Sequence, residues 1–408
     1  MGILSDDVVI IRQSEKEGDP SVITINCPDK TGLGCDLCRI ILFFGLNIVR
    51  GDVSTDGRWC YLVFWVIGKP NTRWNLLKTR LVEASPCFAW AFGISRCYLS
   101  DSESQPLDLY LLKLACSDRT GLLYDVTEVL YKLEINIEKV KISTTPDGKV
   151  MDLFFVTDTR ELLGTKKRRE EVYEYLKDAI GDSMMSYDIQ LVGSEITARS
   201  PASSSFAETL FSSDVLREHP SGLHTSSSVS IAVDNTLSRA HTLIQITCQE
   251  HKGLLYDIMR TFKDFNIQIS YGRFTIKRGK NCEIDLFIVQ SDGRKLLDSS
   301  KQDALVSRLR AELQQPLRVV MMNRGPDTEL LVTNPVELSG KGRPQVFHDI
   351  ALALKKINTC IFSAEIGRHL TGDREWEVYK VLINEEESLT VSRSKIEEQV
   401  WSTLMGWE

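Results

Sequence analysis

The sequence predicts an α+β protein built from four tandem modules, each with the element order βαββαβ. Three similar segments show the repeat: NCPDKTGL at 26–33, ACSDRTGL at 115–122 and TCQEHKGL at 247–254. Each segment ends a run with strand character and begins a helical pattern, and Gly32 and Gly121 lie 89 residues apart (121 − 32). A period of this length is typical of a complete small domain used repeatedly, because solenoid repeats are shorter.

The first module shows how its elements are predicted. The β-branched run 22–25 predicts a strand, and after the turn at Gly32 apolar residues recur at helical spacing. Asn47 begins a second strand. The remaining elements are expected in the order hairpin turn at Asp56–Gly57, strand 59–66, helix 75–83 and closing strand 92–99.

The later modules follow the same order with increasing divergence. Module two is expected to close with a strand over 184–192, and module three to run from 241 through 322. Module four is degenerate: its turn is enlarged over 335–344, and Gln345 stands where the other modules have glycine. Because its second helix (393–404) runs almost to residue 408, its last strand is expected to be missing or borrowed.

Spacing inside the modules predicts how they pair. Asp36 to Asn47 and Asp125 to Asn136 both span eleven residues, whereas Asp257 to Asn266 and Asp349 to Asn358 both span nine. We therefore expect module one beside module two and module three beside module four, in side-by-side sheets. The expected boundaries are a tail (1–20), module one (21–101), module two (107–193), a Ser-rich linker (194–239) with a possible added strand at 229–233, module three (240–323) and module four (327–408).

Composition limits the classes of partner and compartment. The net charge of −7 argues against nucleic acid as the main partner. No apolar run approaches the roughly 20 residues that span a bilayer, so no membrane partner is expected. Ten cysteines without framework-like spacing, in a chain without a secretory signal, predict free thiols. A soluble cytoplasmic protein is expected.

The repeated pattern of strand, (D/E)xxGL turn, helix and Asn-Ile strand resembles the ACT domain. DRTGLLYD at 118–125 and EHKGLLYD at 250–257 are typical of it. Over almost the full length, the four-module layout resembles the plant ACT-domain-repeat family, and its tandem motif resembles the sensor region of bacterial nitrogen-sensing uridylyltransferases. The resemblance implies ferredoxin-like modules that bind small effectors, most often amino acids, where two modules meet, and that regulate an associated protein.

The glycine turn and the following strand form the candidate binding site for an amino acid. Glycine lets a ligand approach the backbone closely, and the N–H groups of the next helix favour a carboxylate. The acidic turn residue could accept from an ammonium group, and the resemblance places ligand contacts at this residue and at the strand asparagine. The candidate residues are Asp29, Thr31, Gly32, Leu33 and Asn47 in module one, Asp118, Thr120, Gly121, Leu122 and Asn136 in module two, and Glu250, Gly253, Leu254 and Asn266 in module three.

A purely structural interpretation of these residues stays open. Glycine would then serve only the tight turn, the acidic residue would cap the helix, and the protein would be a ligand-free scaffold for protein association. A substitution separates the two interpretations: if the turn has a β-region conformation that valine can reach, Gly121→Val should weaken ligand binding more than folding.

Catalytic signatures are missing from the sequence. It contains no GxSxG elbow, P-loop ending or kinase signature. His348–Asp349 looks like a metal-binding pair but lacks an upstream histidine cluster, and the CxxC of Cys35 and Cys38 lies inside a helix. We expect no enzyme, metal or cofactor. The expected partners are an amino acid effector and, through pairing of modules, a protein partner or a second copy of the chain.

Overall fold

The computed structural model describes residues 8–16, 18–86, 107–145, 147–192, 229–277, 281–325, 327–371, 374–383 and 392–407. In this part of the chain, modules one and three form one compact unit, and modules two and four form another. Each unit has one eight-stranded sheet, and the α+β class of repeated ferredoxin-like modules is confirmed. The predicted pairing of one with two and three with four is wrong.

The first two modules lie in different sheets. Module one consists of β1 (Val9–Arg12), β2 (Ser21–Pro28), α1 (Leu33–Phe43), β3 (Asn47–Thr55), β4 (Trp59–Ile67) and α2 (Trp74–Ala84). Module two consists of β5 (Leu109–Ser117), α3 (Leu122–Lys132), β6 (Ile135–Thr144), β7 (Lys149–Asp158), α4 (Lys166–Ile180), a 3-10 turn (Gly181–Ser183) and β8 (Met184–Leu191).

The last two modules complete the sheets. Module three consists of β9 (Ser230–Asp234), β10 (Thr242–Gln249), α5 (Leu254–Asp264), β11 (Ile267–Ile276), β12 (Asn281–Gln290) and α6 (Ser299–Gln314). Module four consists of β13 (Arg318–Arg324), β14 (Asp327–Pro335), α7 (Val346–Lys356), β15 (Ile361–Thr371), β16 (Arg374–Ile383) and α8 (Arg393–Met405). The strand orders are β1-β2-β4-β3-β11-β12-β10-β9 and β13-β14-β16-β15-β6-β7-β5-β8.

Modules are joined by their second strands. β3 and β11 pair antiparallel, with Ser54 opposite Tyr271, and β6 and β15 pair antiparallel, with Ser143 opposite Ser363. Beside each junction the first helices of the two modules pack together, α1 against α5 and α3 against α7. Each unit is therefore a continuous sheet with a helix pair at its centre, and within a unit the shared surface of two modules lies between one and three or between two and four.

The spacing that misled the pairing prediction has a local cause. All four first helices have eleven residues, so no module is shortened there. Asn266 and Asn358, both with φ of 54°, follow the helix end in the left-handed conformation that Gly45 and Glu134 have in modules one and two. The nine-residue span therefore ends at a helix terminus and the eleven-residue span ends in a strand. The residues equivalent to Asn47 and Asn136 are Gln268 and Cys360.

In modules one, three and four the edge strand lies at the N-terminal end of the module, whereas a closing strand at the C-terminal end was predicted. β1, β9 and β13 pair with the first central strand of modules one, three and four, and each precedes that strand in the chain. β9 confirms the added strand, whereas the predicted strand 92–99 lies outside the described residues. β13 gives module four the edge strand that was expected to be missing or borrowed, and all of it except Arg324 falls within the predicted bounds of module three. In module two, β8 closes the module as predicted.

The core of each unit comes from alternate strand residues packed under the helices. In β2, Ile23, Ile25 and Cys27 have no exposed surface, and the residues between them are half-buried. Cys116 and Cys248, at the position equivalent to Cys27, are also buried. Burial raises the pKa of Cys27 to about 11, so this thiol is a packing group and not a nucleophile. Among the described residues, no helix combines the length and apolar character that a membrane span needs.

One titrating contact joins the paired helices of unit two. His348 on α7 lies 2.9 Å from the carboxylate of Glu128 on α3, with the rings of Tyr124 and Tyr131 at 5.2 and 5.6 Å. Burial alone would lower the pKa of His348, but the acidic groups of Asp349 and Glu128 raise it above its ordinary value. The pair therefore stabilises the helix packing while the imidazole is protonated.

This contact predicts a pH dependence of stability. A histidine whose pKa is raised by folding contributes stability that is complete below its unfolded pKa and is lost as pH rises through the folded value. Between pH 6 and pH 8 we expect His348→Gln to remove about 1 kcal/mol of the pH-dependent change in unfolding free energy. Urea unfolding at both pH values measures it. His241→Gln, in unit one, is the matched control, and an identical pH slope in wild-type and His348→Gln protein would contradict the assignment.

Candidate functional site

The first helix of every module begins after a residue in the left-handed conformation. φ is +79° at Gly32, +78° at Gly121, +84° at Gly253 and +65° at Gln345. Glycine adopts this conformation freely, whereas a β-carbon there costs about 1–2 kcal/mol. The premise of the Gly121→Val expectation, a β-region conformation that valine can reach, is therefore wrong.

A lysine from the paired module covers the turn in both units. A β-carbon added to Gly32 would lie 2.8 Å from the Cδ atom of Lys263, and one added to Gly121 would lie 2.9 Å from the Cδ atom of Lys355. The missing side chain therefore makes room for the lysine stem. A ligand does not meet bare backbone at these glycines, as the sequence suggested, but would lie beside the lysines.

These lysines form ion pairs across the module boundary. The ammonium of Lys263 lies 2.9 Å from Asp36, and that of Lys355 lies 2.8 Å from Asp125. Burial alone would raise the pKa of Asp36, but the charge of Lys263 lowers it below its ordinary value. Sequence reasoning missed both lysines, although one signal was available: they occupy the tenth position of the first helix in modules three and four.

Unit one contains a cleft between modules one and three, which we call the one–three cleft; its empty volume, with the space open to solvent included, is about 820 Å³. The turn of module one forms one wall with Asp29, Thr31, Gly32 and Leu33. The other wall is from module three, and its lining residues include Met259, Phe262, Lys263, Gln268 and Arg273. The cleft thus combines an apolar floor with acidic and basic groups from two modules, which is the usual composition of small-molecule sites.

Two carboxylates of different character flank this cleft. Asp29 accepts a hydrogen bond of 2.7 Å from the hydroxyl of Thr55, and burial raises its pKa above the ordinary value. Asp36 lies beside Lys263 and also 3.1 Å from Lys30. A ligand carboxylate that enters the cleft could therefore contact Lys30 and Lys263 together with Asp36. A cationic group of the same ligand could contact Asp29.

Unit two contains the equivalent two–four cleft, with a volume of about 420 Å³. Asp118, Thr120, Gly121 and Leu122 form its module-two wall. From module four, the lining includes Leu354, Lys355, Thr359 and Cys360. The Oγ1 atom of Thr120 lies 3.6 Å from the Sγ atom of Cys360, so the two walls touch at the position equivalent to Asn47.

A buried carboxyl distinguishes the two–four cleft. Asp152 on β7 is 1% exposed, lines the cleft, and has an Oδ1 atom without a hydrogen-bond partner. Burial, together with the charge of Asp118, raises the pKa of Asp152 to about 8. The hydroxyl of Thr359, 3% exposed and also in the lining, likewise has no hydrogen-bond partner. Sequence reasoning missed both residues.

The turn of module three has a smaller cleft of about 330 Å³, lined by Glu250, Gly253 and Leu254 and by Asn47 of module one. The side-chain amide of Asn47 donates a 2.7 Å hydrogen bond to Glu250, 203 residues away in sequence. Asn47 therefore contacts the turn of the paired module and not the turn of its own. The predicted acceptor and the predicted donor already satisfy each other here.

The structure thus divides the predicted residues among separate places. It brings together four in the one–three cleft, four in the two–four cleft, and Glu250, Gly253, Leu254 and Asn47 in the third. Asn136 lies in β6 opposite Thr157, outside these linings. Asn266 also lies outside them, because it ends helix α5 instead of beginning the strand.

Comparisons with known proteins place the chain in a family. Four family models match it: "ACT domain-containing protein ACR10, N-terminal" at 11–86, "ACT domain" at 110–172, "ACR9-like, ACT-like domain" at 230–327 and "ACT domain-containing protein ACR9, C-terminal" at 328–406. ACT domain-containing protein ACR10 of Arabidopsis thaliana is 90% identical, with 100% of both chains covered. The chain belongs to the ACR family of ACT-domain repeat proteins.

Other relatives of this ACR chain extend the comparison. ACT domain-containing protein ACR9 of Arabidopsis thaliana is 49% identical over 100% of both chains. The bifunctional uridylyltransferase/uridylyl-removing enzyme of Rhodospirillum rubrum is 25% identical over 50% of this chain and 19% of its own length. ACT domains generally bind amino acids in regulatory proteins, and the two ACR relatives are named for their domains and not for a reaction.

The fourth ACT module of this ACR chain fills its turn region with polar side chains. The carboxylate of Glu377 accepts hydrogen bonds from Asn334 (2.9 Å), Tyr379 (2.8 Å) and Arg368 (3.1 Å). A β-carbon added to Gly342 would lie 2.6 Å from Glu377. The enlarged turn is therefore packed against this network.

The residues that the structure describes contain no group of three or more His, Cys, Asp or Glu side chains that could hold a metal ion. His348, which resembled a metal ligand in sequence, instead contacts Glu128 of the paired ACT module.

Proposed function

We propose that this protein is a non-catalytic, cytoplasmic regulator that binds an amino acid or similar small metabolite between paired ACT modules. The observation that carries the proposal is the one–three cleft. Its walls come from two modules, and they bring Asp29, Lys30 and Lys263 to one place. The eight cysteines that the structure describes are free thiols, which supports a reducing compartment.

The charges of the cleft suit a zwitterion. The carboxylate of the ligand would lie near the N-terminus of α1, where the helix dipole and the ammonium groups of Lys30 and Lys263 favour an anion. Its ammonium would lie near Asp29, and its side chain would lie against the apolar floor at Met259 and Phe262. Because a ligand here contacts both modules, binding would stabilise their present arrangement and change the surface offered to a protein partner.

A ligand-free scaffold is the second candidate function, and one observation favours it. The stems of Lys263 and Lys355 already cover the glycines of both turns, and Asn47 already satisfies Glu250. In this case the paired modules would serve only to present surfaces for association with another protein or with a second copy of the chain.

A ligand screen separates the two functions. If the proposal holds, at least one of the common amino acids should raise the melting temperature, because a ligand that binds only folded protein stabilises it by mass action. A ligand at 100 times its dissociation constant adds about 2.7 kcal/mol. The variant Lys263→Met, which keeps the stem over Gly32 and removes the charge, should weaken binding at least tenfold.

Matched controls make the screen specific. Lys277→Met removes an exposed lysine whose partner is Glu283, and it should leave affinity unchanged. Asp29→Asn should weaken binding of an amino acid and leave the stability of the folded protein unchanged. A flat screen with all common amino acids would support the scaffold, as would protein partners that are captured equally with and without saturating amino acid.

A further inference from the structure

The two clefts differ at one position of the sheet. In every module the second strand has a bulge, and counting from it places Asp152 of module two in register with Leu62, Ile284 and Tyr379 of modules one, three and four. The equivalent position is thus apolar or aromatic elsewhere. A carboxyl at this place is a property of module two and not of the module frame.

One oxygen of the buried Asp152 carboxyl lacks a hydrogen-bond partner. Its Oδ1 atom is buried and has no hydrogen-bond partner, and the hydroxyl of Thr359 across the cleft also has none. Buried polar atoms in native proteins are nearly always hydrogen-bonded, and each exception requires an explanation. Both residues line the same cleft, so one small polar ligand that enters it could satisfy both buried atoms.

The charges in the lining indicate the sign of that ligand. The basic residues there, Lys355 and Arg119, are both paired with Asp125, at 2.8 and 2.6 Å. Asp118 adds a second carboxyl close enough to Asp152 to disfavour its ionisation. The lining therefore has acidic groups that a cation would stabilise, while its own cations are already engaged.

We infer that the two–four cleft binds a small ligand through a cationic nitrogen that lies against Asp152, with Thr359 as a second hydrogen-bonding group. This inference rests on the proposed function and assigns different chemistry to the two sites: an apolar floor with Leu62 in the one–three cleft, and a carboxyl in the two–four cleft. Binding converts a neutral carboxyl to a carboxylate, so one proton leaves Asp152 for the solvent as the cation enters.

Calorimetric titration with the full-length protein tests this proton release. L-lysine and L-norleucine share a carbon chain and differ in the terminal ammonium, and hexanoate has no cationic nitrogen. Titration in two buffers with different ionisation enthalpies gives the number of protons released. At pH 7 wild-type protein should release close to one proton from Asp152 with a cationic ligand. The affinity of this site should rise about tenfold from pH 6 to pH 7, because the pKa of Asp152 is about 8.

Two substitutions locate the released proton. Asp152→Leu introduces the residue of module one, and Asp152→Asn keeps the shape of the side chain; both should abolish this release and weaken the site at least tenfold. Asp188→Asn, an exposed carboxylate of the same module, should change neither. Release with lysine alone assigns the side-chain ammonium to Asp152, and release with both amino acids assigns the α-ammonium.

The outcomes also separate this inference from the proposed function. Amino acid binding with equal proton release in wild-type and Asp152→Asn protein would overturn the inference and leave the proposed function intact. Hexanoate binding to the two–four cleft as tightly as L-lysine would overturn it too. If L-lysine fails to bind but another common amino acid binds with no proton release, only the inference fails; if none of the common amino acids binds wild-type protein, both proposals fail.

Discussion

Asp152→Leu should make the protein more stable, and the gain should grow with pH. The pKa of Asp152 is raised from its ordinary 3.8 to about 8 by burial and by Asp118. Because its pKa is higher in the folded state, this carboxyl loses its proton at lower pH in the unfolded chain than in the folded protein. The free energy of unfolding therefore falls as pH rises from about 4 to about 8. At 1.36 kcal/mol per pH unit the fall amounts to about 6 kcal/mol at most.

Urea unfolding at pH 5, 6.5 and 8 measures this effect. Asp152→Leu and Asp152→Asn should both flatten the decline, and the leucine variant should also gain from apolar burial, about 25 cal/mol per Å². Asp118→Asn should lower the pKa of Asp152 and so reduce the slope without removing it. Asp188→Asn is the exposed control. A wild-type stability that is level from pH 5 to pH 8, or declines in parallel with Asp152→Asn, would show that Asp152 is not a buried neutral acid.

Gly121→Val should destabilise unit two by about 3 kcal/mol. A β-branched residue at φ of +78° has a conformational penalty of about 1–2 kcal/mol. The new β-carbon also meets the stem of Lys355 at 2.9 Å, which forces the lysine away from Asp125. Thermal unfolding and urea titration measure the loss. Loss of folding is thus expected to dominate over any separate loss of ligand affinity.

A matched glycine separates the two causes. Gly148, in the same module, has φ of +71° and no atom within 4 Å of an added β-carbon, so Gly148→Val should show the conformational penalty alone. In the background of Lys355→Ala, Gly121→Val should lose no more than Gly148→Val. Equal losses of stability at both glycines in otherwise wild-type protein would mean that the β-carbon added at residue 121 does not displace Lys355.

The order of elements within a module could be predicted from sequence because its signals are local. The turn glycine, the apolar stripe of the helix and the Asp-Gly hairpin each lie within a dozen residues. Module pairing has no such local signal. β3 and β11 pair through backbone hydrogen bonds, and the two strands are distant in sequence. The nine-residue span failed because Asn266 resembles Asn47 in type, whereas its left-handed backbone places it at the end of α5.

The candidate site shows the same division between local and distant information. The turn residues Asp29, Thr31 and Gly32 were predicted and line a cleft. Lys263 was missed because it acquires a role only beside the paired module, 227 residues from Asp36. Asp152 was missed because a single aspartate in an apolar strand has no motif, and only the register of four equivalent strands shows that it is exceptional.

The interleaved pairing of modules has a consequence for biosynthesis. The contact between Asn47 and Glu250 spans 203 residues, so at a translation rate of about 5–20 residues per second the edge of β3 waits roughly 10 to 40 s for β11 to leave the ribosome. During that interval the edge of β6 emerges first, and exposed strand edges pair with whatever template they meet. The nascent chain must therefore avoid or undo a sheet formed between modules one and two. A ribosome-associated chaperone would be useful to this architecture.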